Sequence, residues 1–343
     1  MSAPPSMADS PPLLERPADD VQARRPATRV SLSRVGVTGL ERVVHLRPGT
    51  AGAELFAADL ECYVDLRGDQ RGAHMSRFSE TVGAAVDEVV LSGAFRAEVL
   101  AGRVAEHVRD RQGARRAEVR IAARYPEQRT TPASSLPTQE TFTLLGTAVA
   151  GELGTRRAVG VEAQGITACP CAQELVSARA RARLEEEGFS GGEIERILRA
   201  VPVATHNQRG IGTLWIGSAG AEDDDAVDAR DLLRIIEASM SSEIYGLMKR
   251  ADEVEVVERA HRRPRFVEDC VREMVRMSAE RFASVEGAYL HARQRNLESI
   301  HRHDVVAERY GMITDLAEEI SEGPPAPHLP MADWLEGGAP SSD

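Results

Sequence analysis

The chain has 343 residues, 42% of them hydrophobic, with a formal charge of -12 at pH 7. That length accommodates two ordinary domains and that apolar content excludes wholesale disorder, whereas the acidic balance excludes a function that runs on neutralising nucleic-acid phosphates. No run of about 18 apolar residues is present and the stretch before Arg29 lacks the apolar centre of a signal peptide, so the reading is a cytoplasmic protein with neither membrane nor nucleic acid as partner.

Residues 1–28 are rich in Pro, Ala, Ser and Asp without periodicity and are expected to form a disordered leader. Strand alternation follows over Val30–His45 and Ala53–Leu66, helical spacing over Glu80–Leu91 and Phe95–Arg111, then strand-like runs over Ala117–Tyr125 and Thr141–Gly151. The second half repeats the order. Ala158–Thr167 and Gly212–Gly217 read as strands, Ala229–Met240 and Phe266–Phe282 as helices, and Ser284–Arg293 and Ser299–Ala307 as strands. The helices rest on apolar stripes such as Val267, Val271, Met274 and Met277, which are core rather than cofactor box. The expectation is an α+β chain of two tandem β-β-α-α-β-β units with antiparallel sheets and helices on one face, spanning 29–153 and 154–310. A helical hairpin over 172–204 interrupts the second unit: Gln173–Glu187 ends at Gly188, and Ser190 with Glu193 has capping-box spacing. Residues 311–343 are read as a C-terminal tail.

Four cysteines, Cys62, Cys169, Cys171 and Cys270, are too few and too unevenly spaced for a disulfide framework. Cys169-Pro-Cys171 holds two thiols one residue apart, with Pro170 biasing Cys169 toward extended backbone. Such a pair suits metal binding or catalysis, against the alternative of two small buried hydrophobes. Thr205-His206-Asn207-Gln208-Arg209-Gly210 concentrates an imidazole, two amides and a guanidinium, which is the composition of a site wall. Imidazole plus thiolate is a partial set for Zn²⁺ or Fe²⁺, and a carboxylate with an open position would complete a catalytic centre. Among several carboxylates Glu243 is preferred, in Ser242-Glu243-Ile244-Tyr245-Gly246-Leu247-Met248-Lys249-Arg250, which carries the chain's single lysine. Glu258 lies fifteen residues on, followed by Arg259 and His261. Glu298-Ser-Ile-His301-Arg-His303 would place two histidines on one face of a strand. Gly72-Ala-His74-Met-Ser-Arg77-Phe78 is a basic junction suited to phosphate or to a subunit contact.

Together these stretches resemble the GTP cyclohydrolase IB family, the metal-dependent prokaryotic enzymes that open the imidazole ring of GTP, including the archaeal branch. Cys-Pro-Cys, His-Asn-Gln-Arg, Tyr-Gly-Leu-Met-Lys-Arg, Phe266-Val-Glu-Asp269 and Glu-Ser-Ile-His occur in the family's order between about Val30 and Val306. The resemblance implies the tunnelling fold (T-fold) and a homotetramer with shared active sites. It implies that Cys169, His206 and Glu243 ligate Fe²⁺, Mn²⁺ or Zn²⁺, and that Cys171 is a catalytic thiol. By the same resemblance Glu258 anchors guanine, while His301, supported by Glu298, moves protons beside His303. Lys249, Arg250, Arg209 and Arg77 are the triphosphate candidates. The implied reaction is attack of metal-activated water on the guanine imidazole ring, release of formate and formation of 7,8-dihydroneopterin triphosphate for folate biosynthesis. The alternative product is 7,8-dihydroneopterin 2′,3′-cyclic phosphate, as in the archaeal branch, which shares the helical hairpin between the Cys pair and the His. Two other readings stand beside these: another pterin or purine enzyme of the same fold, and a structural zinc scaffold.

Overall fold

The computed structural model describes residues 25–46, 54–73, 78, 80–86, 96–218 and 227–338. Most of the expected leader lies outside the described residues, as do His74 and Arg77 of the basic junction.

Period-two burial builds the sheet. In β2 (Glu54–Leu66) Phe56, Ala58, Leu60, Cys62, Val64 and Leu66 are buried, and the residues between them point to the opposite face. β1 (Leu32–Leu46), β2, β3 (Ala117–Thr130), β4 (Pro137–Gly151), β5 (Gly154–Ala168) and β6 (Asn207–Ser218) pair in that order. A two-residue strand, β7 (Ser242–Glu243), pairs with β5 off this path, and β8 (Tyr289–Leu297) and β9 (Val305–Met312) extend the sheet beyond β6.

The expectation of two tandem units, with the tunnelling-fold description attached to it, is corrected by this topology: all nine strands form one antiparallel sheet. The seam lies where the sequence reading left a gap between Gly151 and Ala158. There β4 and β5 are joined through Glu152 and Leu153 and stay paired from Gly151↔Gly154 to Thr143↔Glu162. Gly154 has φ +101, backbone that a tight hairpin needs and that side chains disfavour. A turn this short holds its strands in register, so the halves are fused.

On one face of the sheet α1 (Ala97–Gln112), α4 (Ala229–Ser239) and α6 (Val267–Arg281) bury their stripes in a single core that includes Leu100, Val104, Leu232, Ile236, Val271 and Met274. Between β5 and β6 stand α2 (Pro170–Glu186) and α3 (Gly191–Ala200), the expected hairpin. Gly188 closes its first helix at φ +87, and the Glu193 carboxylate accepts from the Ser190 amide at 2.8 Å, as the capping box requires. Ile194 anchors α3, whereas α2 has no buried residue.

Three further differences concern the second half. A helix, α5 (Arg250–Arg262), occupies the stretch between the preferred carboxylate and α6, where no helix was expected. The run Ser299–Ala307 is not a strand throughout: residues 298–304 form a loop, and β9 starts at Val305. Beyond β9, α7 (Ile313–Ile320) and α8 (Met331–Leu335) fold back, and Trp334 stacks on Tyr289 with ring centroids 4.8 Å apart on the face opposite the main helices. Among the described residues no helix is long and apolar enough to cross a membrane.

Candidate functional site

The C-terminal end of β5 is flanked by β6 on one side and by β7 on the other. Register places Ala168 opposite Asn207 and Gly165 opposite Glu243. Cys169 directly follows β5, His206 directly precedes β6 and Glu243 lies in β7, so three segments far apart in the chain meet at one end of the sheet.

Cys169 and His206 are brought together directly. The Cys169 amide donates to the His206 carbonyl at 3.1 Å, and the Thr205 hydroxyl donates to the Cys169 carbonyl at 2.8 Å. Cys169 is the N-cap of α2 and Pro170 opens the helix, so extended backbone becomes helix at the thiol itself. Its Sγ accepts from the Ala172 amide at 3.5 Å, a weak contact. Cys171, in the first turn, is exposed. The loop before His206 is tied to α5 through α2: Gln173 Nε2 of α2 donates to the Val203 carbonyl in the loop and to the His261 carbonyl in α5, at 2.8 and 2.6 Å.

His206 is held by its ring. Nδ1 lies 3.0 Å from Gln208 Oε1 and 3.8 Å from Glu298 Oε2, and Gln208 Nε2 donates to Thr167 Oγ1 at 3.1 Å. Glu298 thus stands beside His206 at the end of β8. His301 and His303 lie in the exposed 298–304 loop, their rings stacked at 5.2 Å; the same-face strand expected for them is not formed, because pairing with β8 starts only at Val305↔Asn296.

Glu243 is placed differently from the expectation. It pairs four residues upstream of Cys169, and its Oε2 accepts from Arg259 Nη1 at 2.8 Å. Among the described residues no three His, Cys, Asp or Glu side chains gather into a group that could hold a metal ion. The donor chemistry of the pair at the β5–β6 mouth still suits a divalent cation: a thiol with one weak contact and an imidazole whose Nδ1 is engaged, which frees Nε2. Of the three expected ligands, Cys169 and His206 meet through their backbones, and Glu243 is engaged by Arg259.

The substrate candidates are dispersed around this mouth. Glu258 projects from α5 with Arg262 Nε at 3.7 Å, and Lys249 and Arg250 open the same helix, both exposed. Asp252 fixes that helix start, accepting from the amides of Ala133, Ser134 and Lys249 and from the Ser134 hydroxyl; burial pushes its carboxyl up, but these bonds together outweigh it and hold the group far below the usual range. Arg209 donates to Gln164 at 3.1 Å on the rim of a cavity of about 200 Å³ also lined by Arg129, Glu140, Glu237 and Ile244. Burial raises the Glu237 carboxyl against the opposing pull of Arg129, which grips it in two bonds of 2.5 and 2.8 Å. Burial, then Glu243, raises the Tyr245 phenol.

Residue-by-residue reading missed Arg259 as the partner of Glu243 and Gln208 as the partner of His206. The second was readable, since a strand period puts His206 and Gln208 on one face. The first needed α5, which was not expected.

The thiols divide sharply. Burial pushes Cys62 and Cys270 up to about 12, so both are inert near neutrality, whereas Cys171 is exposed. Iodoacetamide at neutral pH should label Cys171 in the native chain and reach Cys62 and Cys270 only after unfolding. Peptide mapping by mass spectrometry reads this directly, and native labelling of Cys62 would contradict the burial.

A family described as type I GTP cyclohydrolase folE2 matches residues 18–307, and the chain belongs to that family. It is an enzyme acting on GTP, a hydrolase. Its relatives include the GTP cyclohydrolase MptA of Methanococcus maripaludis strain C5, 40% identical over 310 residues that cover 88% of this chain and 98% of that protein. The MptA proteins of Methanococcoides burtonii and Methanocaldococcus jannaschii are 39% and 37% identical, each over 88% of this chain and over 96% and 97% of their own lengths. Among solved structures, a uricase from Arthrobacter globiformis aligns with a TM-score of 0.48 at 12% identity, covering 83% of this chain and 96% of that one.

Proposed function

We propose that this GTP cyclohydrolase forms 7,8-dihydroneopterin 2′,3′-cyclic phosphate, the archaeal-type product, rather than the triphosphate that the family resemblance first suggested. The support is the near full-length similarity to proteins named MptA, with 98% of the first of them covered. The observation that carries the catalytic reading is the Cys169–His206 junction at the mouth of β5 and β6.

In this reading Cys169 and His206 would hold a divalent cation, Fe²⁺, Mn²⁺ or Zn²⁺, with Glu243, here bound by Arg259, as the third ligand. Such an ion supplies Lewis acidity that makes water nucleophilic near neutral pH. The chain's own residues do the rest. Glu258 accepts hydrogen bonds from the guanine amide and amine, and Arg209, Lys249 and Arg250 bind the phosphates, with Arg77 a further candidate outside the described residues. Cys171 serves as the catalytic thiol, and His301 in its exposed loop, with Glu298 and His303 nearby, moves protons as the ring opens and formate leaves. Closing the cyclic phosphate forms a bond from a side-chain hydroxyl to the α-phosphorus and breaks the bond to the β-phosphate, so pyrophosphate leaves. A homotetramer with shared sites follows from the same reading; the rim strands β1 and β9 and the unburied α2 offer surfaces for it.

Purified protein incubated anaerobically with GTP and Mn²⁺, Fe²⁺ or Zn²⁺ is expected to release formate and pyrophosphate, and mass spectrometry should find the cyclic phosphate. A triphosphate product without pyrophosphate would overturn the product assignment, and absence of formate with all three metals would overturn the catalytic one.

A further inference from the structure

We propose that Gln208 is a positioning residue that fixes the tautomer and ring orientation of His206 for cation binding. The inference rests on the reading of His206 as a ligand, and the geometry that carries it is local. Gln208 and Thr167 are directly opposed in the β5–β6 register, and both are buried, Gln208 at 8% exposure and Thr167 at 0%. The Gln208 amide spans the space between the Thr167 hydroxyl and the His206 ring, with Nε2 donating to Oγ1 at 3.1 Å and Oε1 facing Nδ1 at 3.0 Å.

That orientation has a chemical consequence. An amide oxygen can only accept, so Nδ1 must carry the proton and donate it, and the lone pair of the neutral ring is then on Nε2. If the amide were reversed, its NH₂ would face Nδ1 and call for the opposite tautomer, in which Nε2 carries hydrogen and cannot ligate. In the orientation present, the Thr167 hydroxyl accepts from the amide nitrogen and holds the Gln208 side chain in place beside the ring. Glu298 faces the same Nδ1, but at 3.8 Å it lies beyond hydrogen-bond reach. Supporting partners of ligating histidines characteristically fix the ring in this way, and losing one costs roughly 10- to 100-fold in metal affinity. The backbone contributes separately: the carbonyl of His206 is fixed by the Cys169 amide whatever occupies position 208, so a change there disturbs the ring more than the chain path.

The test is Co²⁺ titration of the metal-free protein followed by visible absorption, with the melting temperature of the metal-free form measured in parallel. Gln208→Leu should weaken Co²⁺ binding by about 10- to 100-fold with the metal-free melting temperature close to wild type. Gln208→Glu, which keeps an acceptor against Nδ1, should restore most of the affinity, and Thr167→Val should weaken it by less than Gln208→Leu. Equal Co²⁺ affinity in wild type and Gln208→Leu, with His206→Ala strongly impaired, would overturn the positioning role alone. Co²⁺ affinity unchanged in His206→Ala would overturn the ligand reading beneath it. A Gln208→Glu variant as weak as Gln208→Leu would also contradict the role, since packing and not the acceptor would then be what counts.

Discussion

Replacing His206 by alanine is expected to lower formate release from GTP by more than the roughly 100-fold that loss of a group supporting a metal ligand costs. His206 contributes the imidazole half of the junction with Cys169, whose backbone amide donates to the His206 carbonyl. The variant should also lose bound metal, measured by elemental analysis of protein loaded and desalted alongside wild type. Its fold should survive, because the ring lies at the mouth of the sheet and not in the core shared by α1, α4 and α6. Full activity and full metal content in a folded His206→Ala protein would remove the basis for the catalytic reading. Loss of activity together with loss of the folded state would instead direct the test to Cys169→Ser at the same junction.

The second large effect is on stability. Trp334→Ala should destabilise the chain by about 3–5 kcal/mol, the usual range for emptying a buried aromatic site. Trp334 is 2% exposed, stacks on Tyr289 at an interplanar angle of 18°, and receives a 2.6 Å bond from Arg156 at its carbonyl. The site was shaped around it: a Cβ on Gly217 would come within 2.4 Å of the indole. This residue lies beyond the family match, which ends at residue 307, so the effect also measures how far the folded body extends past it. Urea unfolding should show a lower midpoint at an unchanged slope. A midpoint equal to wild type would mean that α8 contributes nothing to the cooperative unit.

What the sequence made legible follows the range of each interaction. β2 was readable because its alternation is local and uninterrupted, and the α2–α3 hairpin because Gly188 and the Ser190–Glu193 box punctuate it within a few residues. The fused sheet was not, since Glu152 and Leu153 carry no hallmark turn pair and the tight hairpin hides in a stretch that looks like a linker between repeats. α5 escaped because its buried residues are sparse, Asp252, Val256 and Ala260, on an otherwise charged helix. His301 and His303 alternate like strand residues, yet the ladder with β8 begins only after them. For the site, Cys169 and His206 could be named from residue type and their contact is present, whereas the pairing of Glu243 with Arg259 depends on where an unforeseen helix docks.

The bare flanks of α2 set a thermal order of events in the chain taken on its own. A helix of 17 residues that buries none of them draws on its own amide ladder, its end caps and the few side-chain bonds of Gln173 and Arg181, and isolated helices of that length are only marginally favoured in water. Its amides should exchange with solvent through local opening, long before the sheet gives way. Because Cys169 caps this helix and Cys171 sits in its first turn, warming would loosen the sulfur side of the mouth while the imidazole side, tied into the β5–β6 ladder, keeps its place.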